Sequence, residues 1–329
     1  MRDRPAGVAE RDLVRALADG WGIRAAGLRY VPVGGESYHW VITGDQGEPW
    51  FATVDDLDGK GWLGRTRPAV FAGLRAAMDA ALWLRREGGL GFVLAPVPAL
   101  DGQAVRPLGD AHAVAVFPFL PGSPGQWGEP LPGPELDELV AMLAALHRVD
   151  PAVVRLPRRE TGLSWRGDLE VALRELGRPW TCGGPFTEPA RALLAGAAGP
   201  VRRGLDTLDR WTSGPAAAAD LVITHGEPHP GNVMRIAGGI VLIDWDTVAL
   251  APPERDLWLV ATETGDELRR YTELTGRPVD ATALEFYRLR WALDDISCFV
   301  RDLRAPHHRT ADAEHGWHSL ELTIAQITR

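Results

Sequence analysis

Residues 121–134, PGSPGQWGEPLPGP, separate two stretches of chain whose apolar residues recur with different periods. No all-helical or all-β fold accommodates both. Ahead of this connector, LRYVPVGGESYHWVIT predicts a strand, a turn at Gly34-Gly35 and a second strand. GDQGEP (44–49) is a tight turn, and WFATVDDL follows as a third strand. AVFAGLRAAMDAALWLRREGGL repeats apolar residues at three- and four-residue spacing and stops at Gly88-Gly89, which predicts a helix. FVLAPVPAL, QAVRPL and HAVAVFPFL read as three more short strands. They are separated by turns at Asp101-Gly102 and Gly109-Asp110. The expected N-terminal part is therefore an antiparallel sheet interrupted by one helix.

After the connector the pattern is helical. ELDELVAMLAALHRV is amphipathic, and further helices are expected near 166–177, 188–212, 253–273, 281–304 and 309–327. Residues 221–246 are the exception, with LVIT and GIVLID as short β-like runs. The whole predicts a bilobal α+β protein: a β-rich N-lobe over 1–120, the connector over 121–134, and a mainly helical C-lobe over 135–329.

Composition narrows the function classes. No apolar run approaches the roughly 20 residues of a membrane helix, and MRDRPAGVAERDL lacks a signal-peptide core, so a cytoplasmic protein with no membrane partner is expected. Cys182 and Cys298 are too few for a disulfide framework. The formal charge of −9 disfavours nucleic acid and suits a cationic small-molecule partner. Monomer and dimer are both left open.

Between the two β-like runs lies THGEPHPGNV (224–233), and LIDWD follows it. Three readings compete. His225, Glu227 and His229 alternate as strand-borne metal ligands would, but Pro228 and Pro230 disrupt such a strand. A plain polar turn accounts for the prolines and glycines, yet leaves unexplained why Asp244 and Asp246 interrupt an apolar strand end. Phosphoryl transfer needs a carboxylate at the attacking hydroxyl, plus an amide and a carboxylate oxygen for Mg²⁺. Glu227 and Asn232 have the five-residue spacing of kinase catalytic loops, and Asp244 closes the strand just beyond.

Residues 225–232 resemble the catalytic loop of aminoglycoside phosphotransferases and related small-molecule kinases. IDWD (243–246) resembles their metal-binding segment, PPERDLW (252–258) the stretch after it, and LAALHRVD (143–150) the end of the helix before the substrate-recognition insert. Within the family, VPVGGESYHW and VFPFLPG look most like the spectinomycin phosphotransferase branch. The resemblance implies a kinase-like fold and Mg²⁺-dependent transfer of a nucleotide γ-phosphate to an aminoglycoside or aminocyclitol hydroxyl, conferring antibiotic resistance. It implies ATP as donor, with GTP left open. It places Glu227 as catalytic base, His225 as a brace of the loop, Asn232 and Asp244 as Mg²⁺ ligands, and Asp256 behind the loop. The turn at Gly34-Gly35 would lie over the nucleotide, with backbone N–H groups near Gly35, Glu36 and Ser37 meeting phosphate, and the backbone of Pro118, Phe119 and Leu120 would meet the base. A cationic acceptor would meet Asp295, with Asp294 as a second carboxylate and Trp291 or Trp245 packing nearby, and Asp246 would face substrate or solvent. Trp127 is a further candidate to line a pocket.

Two features depart from the family. Most members have aspartate where this chain has Glu227. Kinases also place a lysine on the third strand, paired with a helix glutamate, and WFATVDDL has none. Lys60, the only lysine in the chain, lies about five residues beyond the expected position. It reads as an ordinary loop residue ahead of a swung-in substitute, with Arg65 and Arg67 as alternatives and Asp79 or Glu87 as an unassigned partner acid. These departures keep open a nucleotide-binding pseudokinase, beside a kinase for another acceptor such as a choline-like amine or a nucleoside.

Overall fold

The computed structural model describes residues 1–5, 7–158, 161–212 and 220–328. The chain forms two compact units, Met1–Arg159 with Asp220–Val279, and Glu160–Ala219 with Asp280–Arg329.

The first unit opens with helix α1 (Glu10–Trp21), followed by strands β1 (Ala25–Val31), β2 (Ser37–Gly44) and β3 (Pro49–Asp56), helix α2 (Arg67–Arg86), and strands β4 (Arg106–Leu108) and β5 (His112–Pro118). The five strands make one antiparallel sheet in the order β1-β2-β3-β5-β4. Both faces are covered. Leu13, Leu17 and Trp21 of α1 pack on Tyr38, Trp40, Ile42, Ala52, Val54, Val114 and Val116. Val70, Leu74 and Met78 of α2 pack on Ala113, Ala115 and Phe117 from the other side. β5 is therefore buried on both faces, as its unbroken apolar run AVAVF requires.

Two expectations for this region need correction. The sheet has a second helix, α1, whose Leu13, Leu17 and Trp21 recur every four residues ahead of a left-handed Gly22. FVLAPVPAL is not a strand of the sheet. Prolines 96 and 98 carry no N–H for a ladder, so the segment forms an isolated parallel bridge, Val93 to Leu242, and a lone bond to the sheet from the Val97 N–H to the Val116 carbonyl (2.7 Å) rather than a strand.

The rest of this unit holds the central segment. Strand β6 (Gly122–Pro124), in the connector, pairs with β8 (Val233–Ile236), and β8 pairs with β9 (Gly239–Leu242). Strand β7 (Val222–Thr224) pairs with β10 (Ala249–Ala251). Helix α3 (Gly133–His147) packs on α7 (Asp266–Thr275) and on β7. The single helix expected over 253–273 is two, α6 (Glu254–Leu257) and α7, because Gly265 adopts a left-handed conformation at the start of the second.

The second unit is helical. Helix α4 (Arg166–Arg174) packs on α8 (Ala281–Arg304), and α5 (Thr187–Thr212) packs on α8 and α9 (Ala311–Ile327). Among the described residues, no helix is long and apolar enough to cross a membrane.

Candidate active site

The 225–232 loop runs from β7 to β8 and is fastened from behind. Asp256, fully buried on α6, accepts hydrogen bonds from the backbone N–H of His225 (2.8 Å) and of Gly226 (2.6 Å). It also accepts one from His147 Nε2 (3.0 Å), whose Nδ1 lies 2.8 Å from the Tyr271 hydroxyl. His147 ends α3, so one carboxylate ties that helix to the loop. The histidine lies in LAALHRVD, and its partner Asp256 is 109 residues further along the chain.

His225 is buried against Trp245, with ring centroids 4.6 Å apart. Its Nε2–H donates to the Ile243 carbonyl (2.9 Å), and its Nδ1 accepts from the Glu227 N–H (3.2 Å). Those two bonds fix a neutral tautomer, in keeping with a pKa that burial lowers. The His225 carbonyl is held by Thr247 Oγ1 (2.8 Å). Gly226 has φ +100, and a Cβ there would lie 2.2 Å from Arg255 Nη2. Arg255 cannot give way, because its guanidinium bonds Thr224 Oγ1 (2.7 Å) and the Thr247 carbonyl (2.9 Å). Glycine is the residue this position tolerates.

Asn232 donates its Nδ2 to the Glu227 carbonyl (3.0 Å), so its Oδ1 takes no hydrogen bond among the described residues. Asp244 follows β9 with φ 64, the one positive φ outside glycine among the described residues. Such a conformation is held by its surroundings and re-aims the side chain. Solvent reaches the Asp244 carboxylate, yet protein crowds it from most sides. That desolvation, and then repulsion from Asp246, raise its pKa well above the ordinary carboxylate value. Lys60 opposes the rise and Glu227 adds to it. An amide oxygen beside a crowded carboxylate is a hard-oxygen donor set, which fits Mg²⁺ completing its shell with water and phosphate. His225, Glu227 and His229 do not form the alternative cluster. Among the described residues no group of three such side chains converges on a metal. His229 instead meets Trp127 edge-on at 4.7 Å, and burial lowers its pKa to about 4.

Lys60 is not an ordinary loop residue. Leu57 and Leu63 bury into the core beside α2, and a Cβ on Gly73 would lie 2.6 Å from the Leu63 carbonyl. The turn after β3 is thus pressed onto α2, and Lys60 is driven inward to 1% exposure. Its Nζ bonds Asp246 Oδ2 and lies 3.1 Å from Asp55 Oδ1. Asp246 is consequently buried and ion-paired rather than solvated. Neither arginine takes this place: Arg65 is exposed, and Arg67 is spent on Asp58 at the surface (2.8 Å).

Gly34 takes φ +77 in the turn between β1 and β2, beside Gly35. Ser37 begins β2, and its hydroxyl donates to Asp55 (2.6 Å). His39 supports the turn, with Nδ1 3.1 Å from the Val33 carbonyl and its ring stacked on Phe51 at 5.4 Å. Burial holds its pKa down at about 4. The unfolded chain therefore binds a proton between about pH 6.5 and 4 that the folded protein refuses. The full difference would be worth about 3 kcal/mol, and solvent screening at this partly exposed turn reduces the expected loss to about 1–2 kcal/mol over that descent. Thermal melts across the range check this, and His39→Gln should flatten the slope. Pro118 ends β5, and no hydrogen bond among the described residues uses the backbone N–H or C=O of Phe119 or Leu120.

Trp291, Asp294 and Asp295 lie on α8, in the second unit. Asp294 is committed locally: it accepts from the Ser164 N–H (2.7 Å) and lies 3.4 Å from Arg290 Nη2. These contacts hold the Asp294 carboxylate in place and leave it further acceptor positions.

This is the architecture of a phosphotransferase that acts on an alcohol group. The chain belongs to the phosphotransferase enzyme family APH, whose model matches residues 28–293. It is 28% identical over 306 residues to Protein StrN of Streptomyces griseus, covering 89% of this chain and 85% of that protein. The structure of spectinomycin phosphotransferase APH(9)-Ia in complex with ADP and spectinomycin superposes with a TM-score of 0.73 at 18% identity, covering 98% of each chain. The structure of the microcompartment-associated aminopropanol kinase superposes with a TM-score of 0.59 at 18% identity, covering 98% of this chain and 97% of that one. At such identities the structural likeness speaks for the fold, a β-sheet lobe with a mainly helical remainder.

Proposed function

We propose that this small-molecule kinase transfers the γ-phosphate of ATP to a hydroxyl of an aminocyclitol antibiotic of the spectinomycin kind, and that it uses Mg²⁺. The observation that carries the reading is the Asn232–Glu227 hydrogen bond beside the left-handed Asp244. It orients the Asn232 amide on the loop that carries Glu227. The Ile243 N–H, bonded to the Asn232 carbonyl (3.0 Å), brings Asp244 next to them, which supports a base and two metal-binding oxygens here. Glu227 accepts the proton of the acceptor hydroxyl as its oxygen bonds to the γ-phosphorus. The bond from that phosphorus to the β-bridging oxygen breaks, and ADP leaves. Asn232 and Asp244 would hold Mg²⁺, which supplies neutralisation of the phosphate charge. The unspent backbone groups of Phe119 and Leu120 suit the edge of a purine.

The choice of acceptor is supported by the net charge of −9, which favours a cationic ligand, and by the higher TM-score with the spectinomycin enzyme than with the aminopropanol kinase. The test incubates the protein with ATP, Mg²⁺ and a panel of hydroxylated amines, with products read by mass spectrometry. Phosphorylated spectinomycin is expected, with turnover abolished by EDTA and restored by added Mg²⁺. Transfer to aminopropanol alone would reassign the acceptor. Nucleotide binding without transfer to any acceptor would make the chain a pseudokinase.

A further inference from the structure

A lysine ammonium held out of water is costly unless charge nearby offsets the loss of hydration. Lys60 is 1% exposed and bonds both Asp55 and Asp246, with its Nζ 5.2 Å above the Trp62 ring. Burial works to lower its pKa, but Asp246, Asp55, Asp244 and Glu36 together raise it well above the usual value. It stays an ammonium at any working pH. The charge around it is lopsided: four carboxylates act on one lysine, and Glu227 adds a fifth beside Asp244. A polyphosphate entering this region is repelled by each of those acids. A divalent cation on Asn232 and Asp244 would relieve one end, while Lys60 is the protein cation among these groups.

We propose that Lys60 grips the α- and β-phosphates of the nucleotide from the turn after β3, with Asp55 on the strand as its anchor. Acid and base have exchanged places relative to a strand lysine: the strand carries the carboxylate and the turn carries the ammonium. Ser37 makes this a connected device. Its hydroxyl holds Asp55 at 2.6 Å, so the start of β2, next to the glycine turn, and the lysine share one carboxylate. When nucleotide arrives, a phosphate oxygen replaces Asp246 as an acceptor for Nζ, and Asp55 retains its bond. The inference rests on the kinase reading above.

Because Lys60 is the only lysine, protein labelled with ¹³C- and ¹⁵N-lysine gives one lysine side-chain signal. Saturating MgADP is expected to move that signal, and saturating adenosine to leave it in place. An unmoved signal at saturating MgADP overturns the inference. In parallel, calorimetry compares MgADP with adenosine on the wild type, on Lys60→Met, and on Lys60→Met combined with Asp55→Asn, which restores charge balance if the single variant folds poorly. MgADP affinity is expected to fall about 10- to 100-fold, as for a lost charge-assisted bond, with adenosine affinity retained. An unchanged ratio of the two affinities in a folded variant overturns the inference while leaving the kinase reading intact. A wild type that binds neither MgADP nor MgGDP overturns both.

Discussion

Glu227→Gln is expected to lower kcat by about 10²- to 10⁴-fold, the range for loss of a general base, and to leave nucleotide affinity nearly unchanged. The amide keeps the size of the side chain and removes its capacity to take the hydroxyl proton. The surrounding backbone will not adjust. Five hydrogen bonds hold the backbone groups of residues 225–227: two from their N–H groups to Asp256, one from Glu227 N–H to His225 Nδ1, and one each onto the carbonyls of His225 and Glu227. The same rigidity bears on the extra methylene that separates this residue from the family's aspartate. A pinned loop cannot retreat, so the longer side chain is accommodated by its own rotamer and by the placement of the acceptor. Glu227→Asp should then pull the carboxylate back and cost on the order of 10²-fold in kcat/KM, the scale of a 1 Å misplacement. Steady-state kinetics with direct nucleotide binding separates the two effects. If Glu227→Gln turned over at the wild-type rate, the base would have to be sought elsewhere.

What the sequence revealed and what it hid follow from how local each feature is. The adjacency of Glu227, Asn232 and Asp244 was legible because it depends on spacing along one loop and the strand after it. Asp256 was legible because it lies in a short run that follows the same segment. Lys60 was misread for the opposite reason. Its inward position is set by Leu57 and Leu63, which bury into a core built from α2 and the far strand β5, and no short window of sequence contains that packing. Asp294 lies around the helix from Asp295, and only the fold reveals that Ser164, far away in sequence, donates its N–H to the Asp294 carboxylate. FVLAPVPAL misled because an apolar run predicts burial, whereas strand pairing needs N–H donors that its prolines lack.

Asp256→Ala is expected to destabilise the protein by about 3–5 kcal/mol, the cost of removing one partner from a buried charged network. Two backbone N–H groups and the His147 Nε2 converge on this carboxylate at 2.6–3.0 Å. None of them has water to turn to in a site that is fully buried. Asp256→Asn is the more informative variant. Its single carbonyl oxygen replaces one carboxylate oxygen, and its NH₂ must then face a donor, either the Gly226 N–H or the pair from His225 and His147. A smaller loss of about 1–3 kcal/mol follows, together with a lower kcat, because Gly226 precedes Glu227 directly. The acid limb gives a signature that a general packing defect does not share. Burial alone would raise the pKa of Asp256, but the His147 hydrogen bond and the nearby positive charges carry it below the usual value. A depressed folded-state pKa contributes stability that is complete above the unfolded value of about 3.9 and is lost as pH falls through the folded one. Denaturant titrations of the wild type should therefore steepen below about pH 4 relative to Asp256→Asn. Parallel acid limbs for the two proteins would show that Asp256 does not act as a buried carboxylate in holding the loop.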